Sequence, residues 1–280
     1  MKKEELPGRR VLLRGAALFA LTATAGCVGT DRSGAPARPS SSPGPAAGAQ
    51  AARPQKPSTY RLQPMTGSGP QRSAAGRTPV RSKPILRMGG RSRAMVLTFD
   101  DGPDPNYTPD ILRTLRKHDV RAMFFVCGEM ADAHPDLLRR MADDGHTIGN
   151  HTWTHPQLTR LRRPSIRDEI ERTSDVVEDA VGEPPLWFRA PYGAWNRAAF
   201  QIGAELGMEP LAWTVDTLDW REPGTGTIVR RVLSGAGPGV VILSHDAGGN
   251  RSQSVQALRT YLPRLLDEGY RIGVPSRMGV

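Results

Sequence analysis

Residues 95–103 read Met-Val-Leu-Thr-Phe-Asp-Asp-Gly-Pro, an apolar run that ends in two acids and a turn. The run 95–99 has the length and the side chains of a buried β-strand. Alternation along a regular strand would separate Asp100 from Asp101, but the Gly-Pro turn that follows can bring both carboxylates toward one pocket. This stretch therefore predicts a strand that delivers two acids to one site.

The chain that follows alternates short apolar runs with amphipathic stretches, which is the pattern of βα units around a parallel sheet. The strands are predicted at 95–99, 122–127, 147–149, 187–189, 209–215, 240–244 and 270–274. The helices are predicted between them, at 108–118, 135–144, 166–181, 198–206, 227–233 and 254–267. This order predicts an α/β fold, a distorted or incomplete (β/α) barrel of about seven parallel strands.

The ends of several helices carry local signals. Ser165 precedes the helix at residue 166 and is predicted to cap it through its hydroxyl, with Asp168 and Glu169 favourably placed in the first turn. A glycine follows four of the helices, where a C-terminal cap with positive φ is expected. These glycines are Gly145, Gly182, Gly207 and Gly269.

Polar clusters stand at or just after the ends of five predicted strands. In a (β/α) barrel the carboxyl ends of the strands meet at one face, where the chemistry of the fold is located. We therefore expect five segments to converge on a single site. They are Asp100-Asp101, 151–155, Arg189, 216–219 and His245-Asp246.

Two histidines suited to hold a cation occur four residues apart, as His151 and His155. On a helical turn this spacing places both imidazoles on one side, where they can share a metal ion.

Arg189, at a strand end, would keep a neighbouring carboxylate ionised and oriented. His245, near a carboxylate such as Asp219, would stay protonated more readily and could serve as a general acid.

The net charge of +10 does not indicate a nucleic-acid partner, because the excess of basic residues lies outside the predicted domain. The stretch 91–280 has 23 Lys or Arg against 25 Asp or Glu and is nearly neutral. The stretch 28–90 is rich in Pro, Ser, Ala, Gly and Arg and lacks the apolar periodicity of a folded core. We interpret 28–90 as a disordered linker and 91–280 as the folded domain, and we exclude nucleic acid as a partner.

The stretch 1–27 has the features of an export signal, with basic residues ahead of an apolar run that is too short to span a bilayer permanently. Its Arg9-Arg10 pair resembles a twin-arginine signal. Thr24-Ala-Gly-Cys27 resembles the lipobox of bacterial lipoproteins, with Thr24 where Leu is usual. This resemblance implies a lipid on Cys27 and attachment to the outer face of the cell membrane. An ordinary signal peptide and a secreted protein are the alternative.

Five motifs follow one another along the predicted domain. They are Thr-Phe-Asp-Asp-Gly-Pro at 98–103, His-Thr-Trp-Thr-His at 151–155, Arg-Ala-Pro-Tyr-Gly at 189–193, Asp-Thr-Leu-Asp-Trp at 216–220 and Leu-Ser-His at 243–245. Together they closely resemble the motifs of the NodB-type polysaccharide deacetylases, the fourth carbohydrate esterase family. The resemblance covers essentially all of 94–274. It implies that 91–280 is a catalytic domain that hydrolyses acetyl groups from the sugars of a polysaccharide.

The resemblance implies a divalent metal ion held by Asp101, His151 and His155. This ion is usually zinc in the family, although Co²⁺ and other divalent ions suit the same ligands. The resemblance also assigns Asp100 as the general base that deprotonates the attacking water, with Arg189 holding that base. None of these positions departs from the family pattern.

The remaining motif residues are implied to bind the substrate and to stabilise its charge. The backbone N–H of Tyr192 would meet the charge that develops on the acetyl oxygen. His245 would protonate the departing amine and would be oriented by Asp219. Leu243 and Trp220 resemble the family residues that form the pocket for the acetyl methyl group.

Several interpretations of the substrate stay open. The leading one is N-acetylglucosamine-type residues of peptidoglycan or a chitin-like glycan, because a lipid anchor would place the protein at the producer's own envelope. Relatives with the same fold and metal site remove O-acetyl groups from xylan, and a non-catalytic wall-binding lipoprotein is a further alternative. The motif residues are all present, which favours an enzyme, and nothing in the sequence predicts more than a monomer.

Overall fold

The computed structural model describes residues 78–89 and 93–275. The predicted export signal, with Cys27, lies outside the described residues, as does the predicted linker before residue 78. Among the helices of the described part, none is both long enough and apolar enough to cross a membrane.

A parallel sheet forms the centre of the domain. Its strands are β1 (Ala94–Asp100), β2 (Met123–Val126), β3 (Thr147–Asn150), β4 (Trp187–Phe188), β5 (Glu209–Pro210), β6 (Val215–Asp216), β7 (Val241–His245) and β8 (Arg271–Ile272). Their order across the sheet is β5-β4-β3-β2-β1-β7-β6, and β8 pairs with the beginning of β1. The pairs are parallel, and the sheet does not close between β5 and β6. The predicted incomplete (β/α) barrel is confirmed.

The helices lie between the strands. They are α1 (Thr108–Lys117), α2 (Gly128–Ala133), α3 (Pro135–Asp143), α4 (Arg163–Val181), α5 (Arg197–Glu205), α6 (Thr225–Gly235) and α7 (Ser252–Asp267), with 3-10 turns at Leu158–Arg160, Pro191–Gly193 and Asp219–Arg221. The predicted helices are confirmed to within three residues at each end. Helix α2 was not expected, because six residues are too few to show a helical period. The four predicted C-cap glycines have φ between 79° and 83°.

The start of α4 differs from the prediction. The helix begins at Arg163, so Ser165 lies inside its first turn, and Arg162 occupies the N-cap position without a side-chain hydrogen bond. Pro164 explains the earlier start, because its fixed φ suits a first helical turn and its missing N–H costs nothing there. The predicted capping role of Ser165 is therefore wrong.

The single strand predicted at 209–215 is wrong, because this stretch forms two strands at opposite edges of the sheet. β5 pairs with β4, β6 pairs with β7, and the residues between them cross the open seam of the barrel. In this crossing the carbonyls of Leu211 and Ala212 accept hydrogen bonds from the guanidinium of Arg189. The break in the strand therefore provides acceptors for a buried cation.

Residues 81–88 fill the seam, although they belong to the predicted linker. The N–H of Ile85 donates to the carbonyl of Pro210 at 2.8 Å, and the N–H of Ala212 donates back to the carbonyl of Ile85 at 2.8 Å. The side chain of Ile85 is buried against the barrel. The folded domain therefore begins before the boundary predicted at Arg91.

The sheet is buried on both faces, which explains why its strands are nearly continuous apolar runs. Alternation along β1 places Leu97 on the outer face, in the core shared with α1, α6 and α7. It places Val96 on the inner face, packed with Phe125 and Trp187 inside the barrel. By the same alternation Asp100, the last residue of β1, points into the barrel.

Gly149 on β3 tests how tightly the inner face is packed. A Cβ at this position would lie 2.6 Å from Cδ1 of the Phe125 ring and 3.2 Å from the carbonyl oxygen of Trp187. We expect Gly149→Ala to lower the free energy of unfolding by about 1–3 kcal/mol, because extra volume in a close-packed interior displaces its neighbours. Urea unfolding of the purified protein measures this change.

Gly226→Ala in α6 is the matched control. A Cβ there would meet only the end of the Arg230 side chain, at 3.6 Å. This variant should be neutral or slightly more stable, because alanine favours a helix over glycine by up to about 1 kcal/mol. Equal stability of Gly149→Ala and the wild type would contradict the packing described for the inner face.

Candidate active site

The five polar segments meet at the carboxyl ends of the strands, around a cavity of about 390 Å³. Eight residues of the predicted site line this cavity: Asp100, Asp101, His151, His155, Tyr192, Trp220, Leu243 and His245. The other two, Arg189 and Asp219, lie behind them and hydrogen bond to Asp100 and His245. The fold therefore brings together the whole predicted set apart from Cys27, which lies outside the described residues.

Asp100 is a buried carboxylate paired with a buried cation. Its Oδ1 accepts a hydrogen bond of 2.6 Å from Nη1 of Arg189, a side chain with no exposed surface. Burial raises the pKa of Asp100, and the charge of Arg189 only partly opposes that increase. The result is an oriented carboxylate with a pKa above its ordinary value, which suits a general base.

Arg189 is fixed inside the barrel by contacts on several sides. Besides Asp100, its Nη1 donates to Oγ1 of Thr98 at 2.8 Å. Its Nε donates to the carbonyl of Leu211 at 3.1 Å, and its Nη2 donates to the carbonyl of Ala212 at 2.9 Å. The guanidinium also lies over the ring of Phe125, 4.0 Å from the ring centre. These contacts hold the cation, and through it the carboxylate of Asp100, in one orientation.

Asp101 turns away from the strand because its backbone adopts a left-handed φ of 77°. Its Oδ1 lies 3.5 Å from Nε2 of His151 and 3.4 Å from Nε2 of His155. One ligand atom from each of the three residues lies within 4.8 Å of the other two. The predicted metal ligands therefore face a common point at the edge of the cavity.

The two histidines do not lie on a helical turn, and that part of the prediction is wrong. The segment 151–157 has no helical structure, and φ is positive at Thr152 (72°) and His155 (58°). The carbonyl of Thr152 accepts a hydrogen bond from the N–H of Gly128 at the start of α2, so it does not take part in a helical turn. A folded loop, and not a helix, brings the two imidazole rings to 5.0 Å between centres.

His151 presents an unprotonated Nε2 to the cluster. Its Nδ1 lies 2.8 Å from the carbonyl oxygen of Arg189, so Nδ1 carries the proton and donates it. Burial lowers the pKa of His151 to about 3, against the charge of Asp101, and the ring is neutral at neutral pH. A neutral imidazole whose second nitrogen is hydrogen bonded is the form that binds metal ions.

The cluster fits a divalent cation. Oδ1 of Asp101 is buried and has no hydrogen-bond partner within the described residues. A buried carboxylate oxygen without a partner is costly, and a cation shared with His151 and His155 would remove that cost. One carboxylate and two imidazoles form the ligand set of a catalytic zinc site, which keeps an open position for water and substrate. All three residues line the cavity, from which water and substrate would reach a bound cation.

His245 and Asp219 form a second buried ion pair. Asp219 accepts two hydrogen bonds from His245, one from the ring Nδ1 at 2.7 Å and one from the backbone N–H at 2.9 Å. It accepts a third from Oγ of Ser254 at 2.6 Å. Burial lowers the pKa of His245, but the hydrogen bond and charge of Asp219 outweigh that effect and raise it to about 9. Despite its own burial, Asp219 has a lowered pKa because of the same contacts. His245 is therefore a protonated imidazole at neutral pH, on the wall of the cavity.

Tyr192, Leu243 and Trp220 complete the predicted wall. The backbone of Tyr192 has φ of 60°, and its ring packs edge-on against His155 with 4.6 Å between ring centres. The hydrogen bonds of this turn are donated by the two residues that follow Tyr192, so the turn itself does not use the Tyr192 N–H. Leu243 and the half-exposed Trp220 give the cavity its apolar surface.

The structure adds cavity residues that the sequence did not predict, including Trp213, Gly248 and Arg251. A Cβ on Gly248 would lie 2.5 Å from Oδ2 of Asp101, so this glycine allows the loop after β7 to approach the acid. The buried Arg251 holds that loop by donating to the carbonyls of Ala247 and Gly248. The Gly-Gly pair after the last motif was the signal available in the sequence.

Asp246 is a further buried acid, behind the turn that carries Asp101. One of its oxygens accepts a hydrogen bond from Thr108, and the other has no partner within the described residues. Burial raises the pKa of Asp246 to about 7 against that hydrogen bond, with a further contribution from the charges of Asp101 and Asp100. A carboxyl group with this pKa is partly neutral at neutral pH, which reduces the cost of its burial.

Known proteins are similar to this chain over the part that contains the site. The sequence model of the Polysaccharide deacetylase family matches residues 88–211, which contain Asp100, Asp101, both histidines and Arg189. The chitooligosaccharide deacetylase of Rhizobium leguminosarum bv. trifolii is 38% identical over 200 residues, which cover 68% of this chain and 93% of that protein.

Two solved structures share the fold. The Bc1960 peptidoglycan N-acetylglucosamine deacetylase, in complex with a naphthalenyl-N-oxidanyl-benzamide, has a TM-score of 0.65 at 37% identity over 67% of this chain and 88% of that chain. BA3943 from Bacillus anthracis, a pseudoenzyme of the CE4 family, has a TM-score of 0.65 at 31% identity over 69% of this chain and 67% of that chain. With the rhizobial relative matched over nearly its whole length, we conclude that this chain belongs to the polysaccharide deacetylase family.

Proposed function

We propose that this chain is a metal-dependent hydrolase that removes N-acetyl groups from N-acetylglucosamine-type residues of a polysaccharide. The proposal rests mainly on the contrast between two adjacent carboxylates. Asp100 is hydrogen bonded to a buried arginine, whereas Oδ1 of Asp101 faces two imidazoles and has no donor within the described residues. One acid is suited to act as a base and the other as a metal ligand, at the edge of a single cavity.

Asp100 would take the proton of the attacking water. Its Oδ2 lies 3.6 Å from Nε2 of His151, on the side of the metal-ligand cluster, and its raised pKa favours proton uptake. Arg189 holds the other oxygen and prevents the carboxylate from turning. A cation bound to Asp101 and the two histidines would polarise the acetyl carbonyl and lower the pKa of the water.

His245 would act at the leaving group. Protonated through its contact with Asp219, it would donate a proton to the sugar nitrogen as the C–N bond breaks, giving acetate and a free amino sugar. The N–H of Tyr192 would donate to the acetyl oxygen as negative charge develops there. Leu243 and Trp220 would contact the methyl group of the acetyl.

The glycan is proposed to be peptidoglycan or a chitin-like polymer. The relatives reported above are named as deacetylases of chitooligosaccharide and of peptidoglycan N-acetylglucosamine, which supports an N-acetylated sugar. A histidine kept protonated also suits an amine leaving group, which departs only with a proton. Acetylated xylan, whose leaving group is an alcohol, is the second candidate in the same reaction class.

Catalysis is favoured over a binding role without turnover, although one structural neighbour is a pseudoenzyme. A family member without activity is expected to lack a metal ligand, the base or the acid. Here the three ligands, the base Asp100 and the acid His245 all line the same cavity. The complete set therefore supports an active enzyme.

The place of action is proposed from the sequence alone. A lipid on Cys27 would attach the protein to the outer face of the cell membrane, and the basic stretch 28–77 would carry the domain toward the wall polymer. The excess of Lys and Arg in that stretch suits an anionic envelope surface. Release as a secreted protein is the alternative.

We expect the full-length protein to release acetate from N-acetylglucosamine oligomers or from isolated peptidoglycan. A chelator should abolish release, and added Zn²⁺ should restore it, because the metal polarises the substrate and activates water. Acetate is quantified with each polymer and with acetylated xylan as the comparison substrate. Release from xylan alone would replace the N-acetyl proposal by an O-acetyl one, and no release with zinc bound would favour a binding protein.

Two substitutions separate metal binding from proton transfer. His151→Ala should lose zinc and turnover together, because it removes a ligand. Asp100→Asn should keep zinc but lower kcat by about 10²–10⁴-fold, because it removes the base. Bound zinc and kcat are measured on the same preparations, with Asp136→Asn, an exposed acid of α3, as the control. Wild-type turnover in Asp100→Asn would rule out its role as the base.

The pH dependence of kcat should report the protonation of His245. Because the acid form is required and its pKa is about 9, kcat should fall as the pH rises through about 9. Asp219→Asn removes the charge that raises this pKa, so the fall should move to a lower pH, toward or below the ordinary histidine value of about 6.5. Profiles of the two proteins that coincide on the alkaline side would contradict the proposed acid.

The lipid anchor is tested by fractionating the producing cells. Wild-type protein should sediment with membranes, and Cys27→Ser should shift to the soluble or secreted fraction, because no other residue of the lipobox can carry the lipid. Acetate release confirms that the variant is folded. Membrane association that survives the substitution would show that the lipid is not the anchor.

A further inference from the structure

The loop that carries both histidine ligands is not stabilised by regular secondary structure of its own. Residues 151–157 form no regular helix or strand, and Thr152 and His155 adopt a left-handed backbone that non-glycine residues seldom take. Such a conformation persists only where surrounding structure fixes it. The loop must therefore be held by contacts from elsewhere in the fold.

Glu169, on α4, makes three of these contacts. Its Oε2 accepts hydrogen bonds from the N–H of Trp153 and from the N–H of Thr154, both at 2.8 Å. Its Oε1 accepts a third hydrogen bond, from Oγ1 of Thr154, at 2.7 Å. The carboxylate thus binds the two central residues of the loop, between His151 and His155.

Two further contacts connect the loop to α4, one through the ring of Trp153 and one through Asn150. The ring of Trp153 lies under the guanidinium of Arg172, which is 4.1 Å from the ring centre and one turn along α4 from Glu169. Asn150, which precedes the loop, donates to the carbonyl of Ile170 on α4 and accepts from the N–H of Thr152. Helix α4 therefore supports the loop together with the start of α2, and Glu169 is the acidic residue that contacts the centre of the loop.

We propose that Glu169 is a positioning residue of the metal site, which sets the separation of the His151 and His155 imidazoles through the backbone between them. Glu169 touches neither the cation nor the substrate in this role. The inference rests on the proposed metal site of Asp101, His151 and His155, and extends it to a residue outside the five motifs. Residues that orient metal ligands typically change metal affinity by about 10–100-fold when they are removed.

The chemistry of the contact distinguishes two substitutions. Glu169→Ala removes all three acceptors. Glu169→Gln can keep the three hydrogen bonds, because its amide oxygen can accept from both N–H groups while its amide nitrogen donates to the hydroxyl of Thr154. A purely electrostatic role of the carboxylate would be lost in both variants, whereas a positioning role is lost only in Glu169→Ala.

The test is the zinc affinity of the full-length protein, measured by competition with a chromophoric chelator. We expect Glu169→Ala to bind zinc about 10–100-fold more weakly than the wild type and Glu169→Gln to lose less than about 10-fold. Asp175→Ala, an exposed acid on the same helix, is the matched control and should bind as the wild type does. Thermal unfolding of the metal-free proteins shows whether each variant is folded.

The outcomes separate this inference from the proposed function. If the wild type binds no zinc, the metal site itself is wrong and the role of Glu169 falls with it. If the wild type binds zinc and Glu169→Ala binds equally well, only the positioning role is overturned. An equal loss in Glu169→Gln and Glu169→Ala also overturns it. Should Glu169→Ala fail to fold, Thr154→Val removes a single bond and must weaken zinc binding measurably.

Discussion

The ion pair between Arg189 and Asp100 is the contact on which the rest of the site depends. A pair of charges so completely buried is stable only when hydrogen bonds replace the lost water on every side. Thr98 supplies one such bond from β1, and Leu211 and Ala212 supply two from the crossing after β5. The pair therefore joins the centre of the sheet, its edge and the open seam at one point, and these contacts hold Asp100 in one orientation.

The sequence predicted the acids and histidines well because they stand where apolar runs stop. In a parallel sheet these points share one edge, so local patterns are enough to gather them. Alternation along β1 also accounts for Asp100, since it stands four positions after the inward-facing Val96 and therefore points to the same face. The left-handed backbone of Asp101 explains why this second acid can face the histidines although it directly follows Asp100.

The parts that the sequence did not predict are set by contacts between distant residues. A spacing of four residues suits a helical turn, but the shape of the loop from His151 to His155 depends on Gly128 and Glu169, which no local pattern links to it. The strand expected at 209–215 breaks at Leu211 because carbonyls there bond to Arg189. Among the described residues 78–89, Ile85 is the one buried hydrophobic side chain, and one residue carries no periodicity.

The segment that fills the seam also determines how the domain responds to force. A pull on the chain from its N-terminal side reaches the ion pair of Arg81 with Glu209 before the two hydrogen bonds of Ile85. These contacts would break one after another and not all at once. Their loss would free the crossing residue Ala212, whose carbonyl binds Arg189. Tension on the N-terminal chain would therefore loosen one of the contacts that hold Arg189, and through it Asp100.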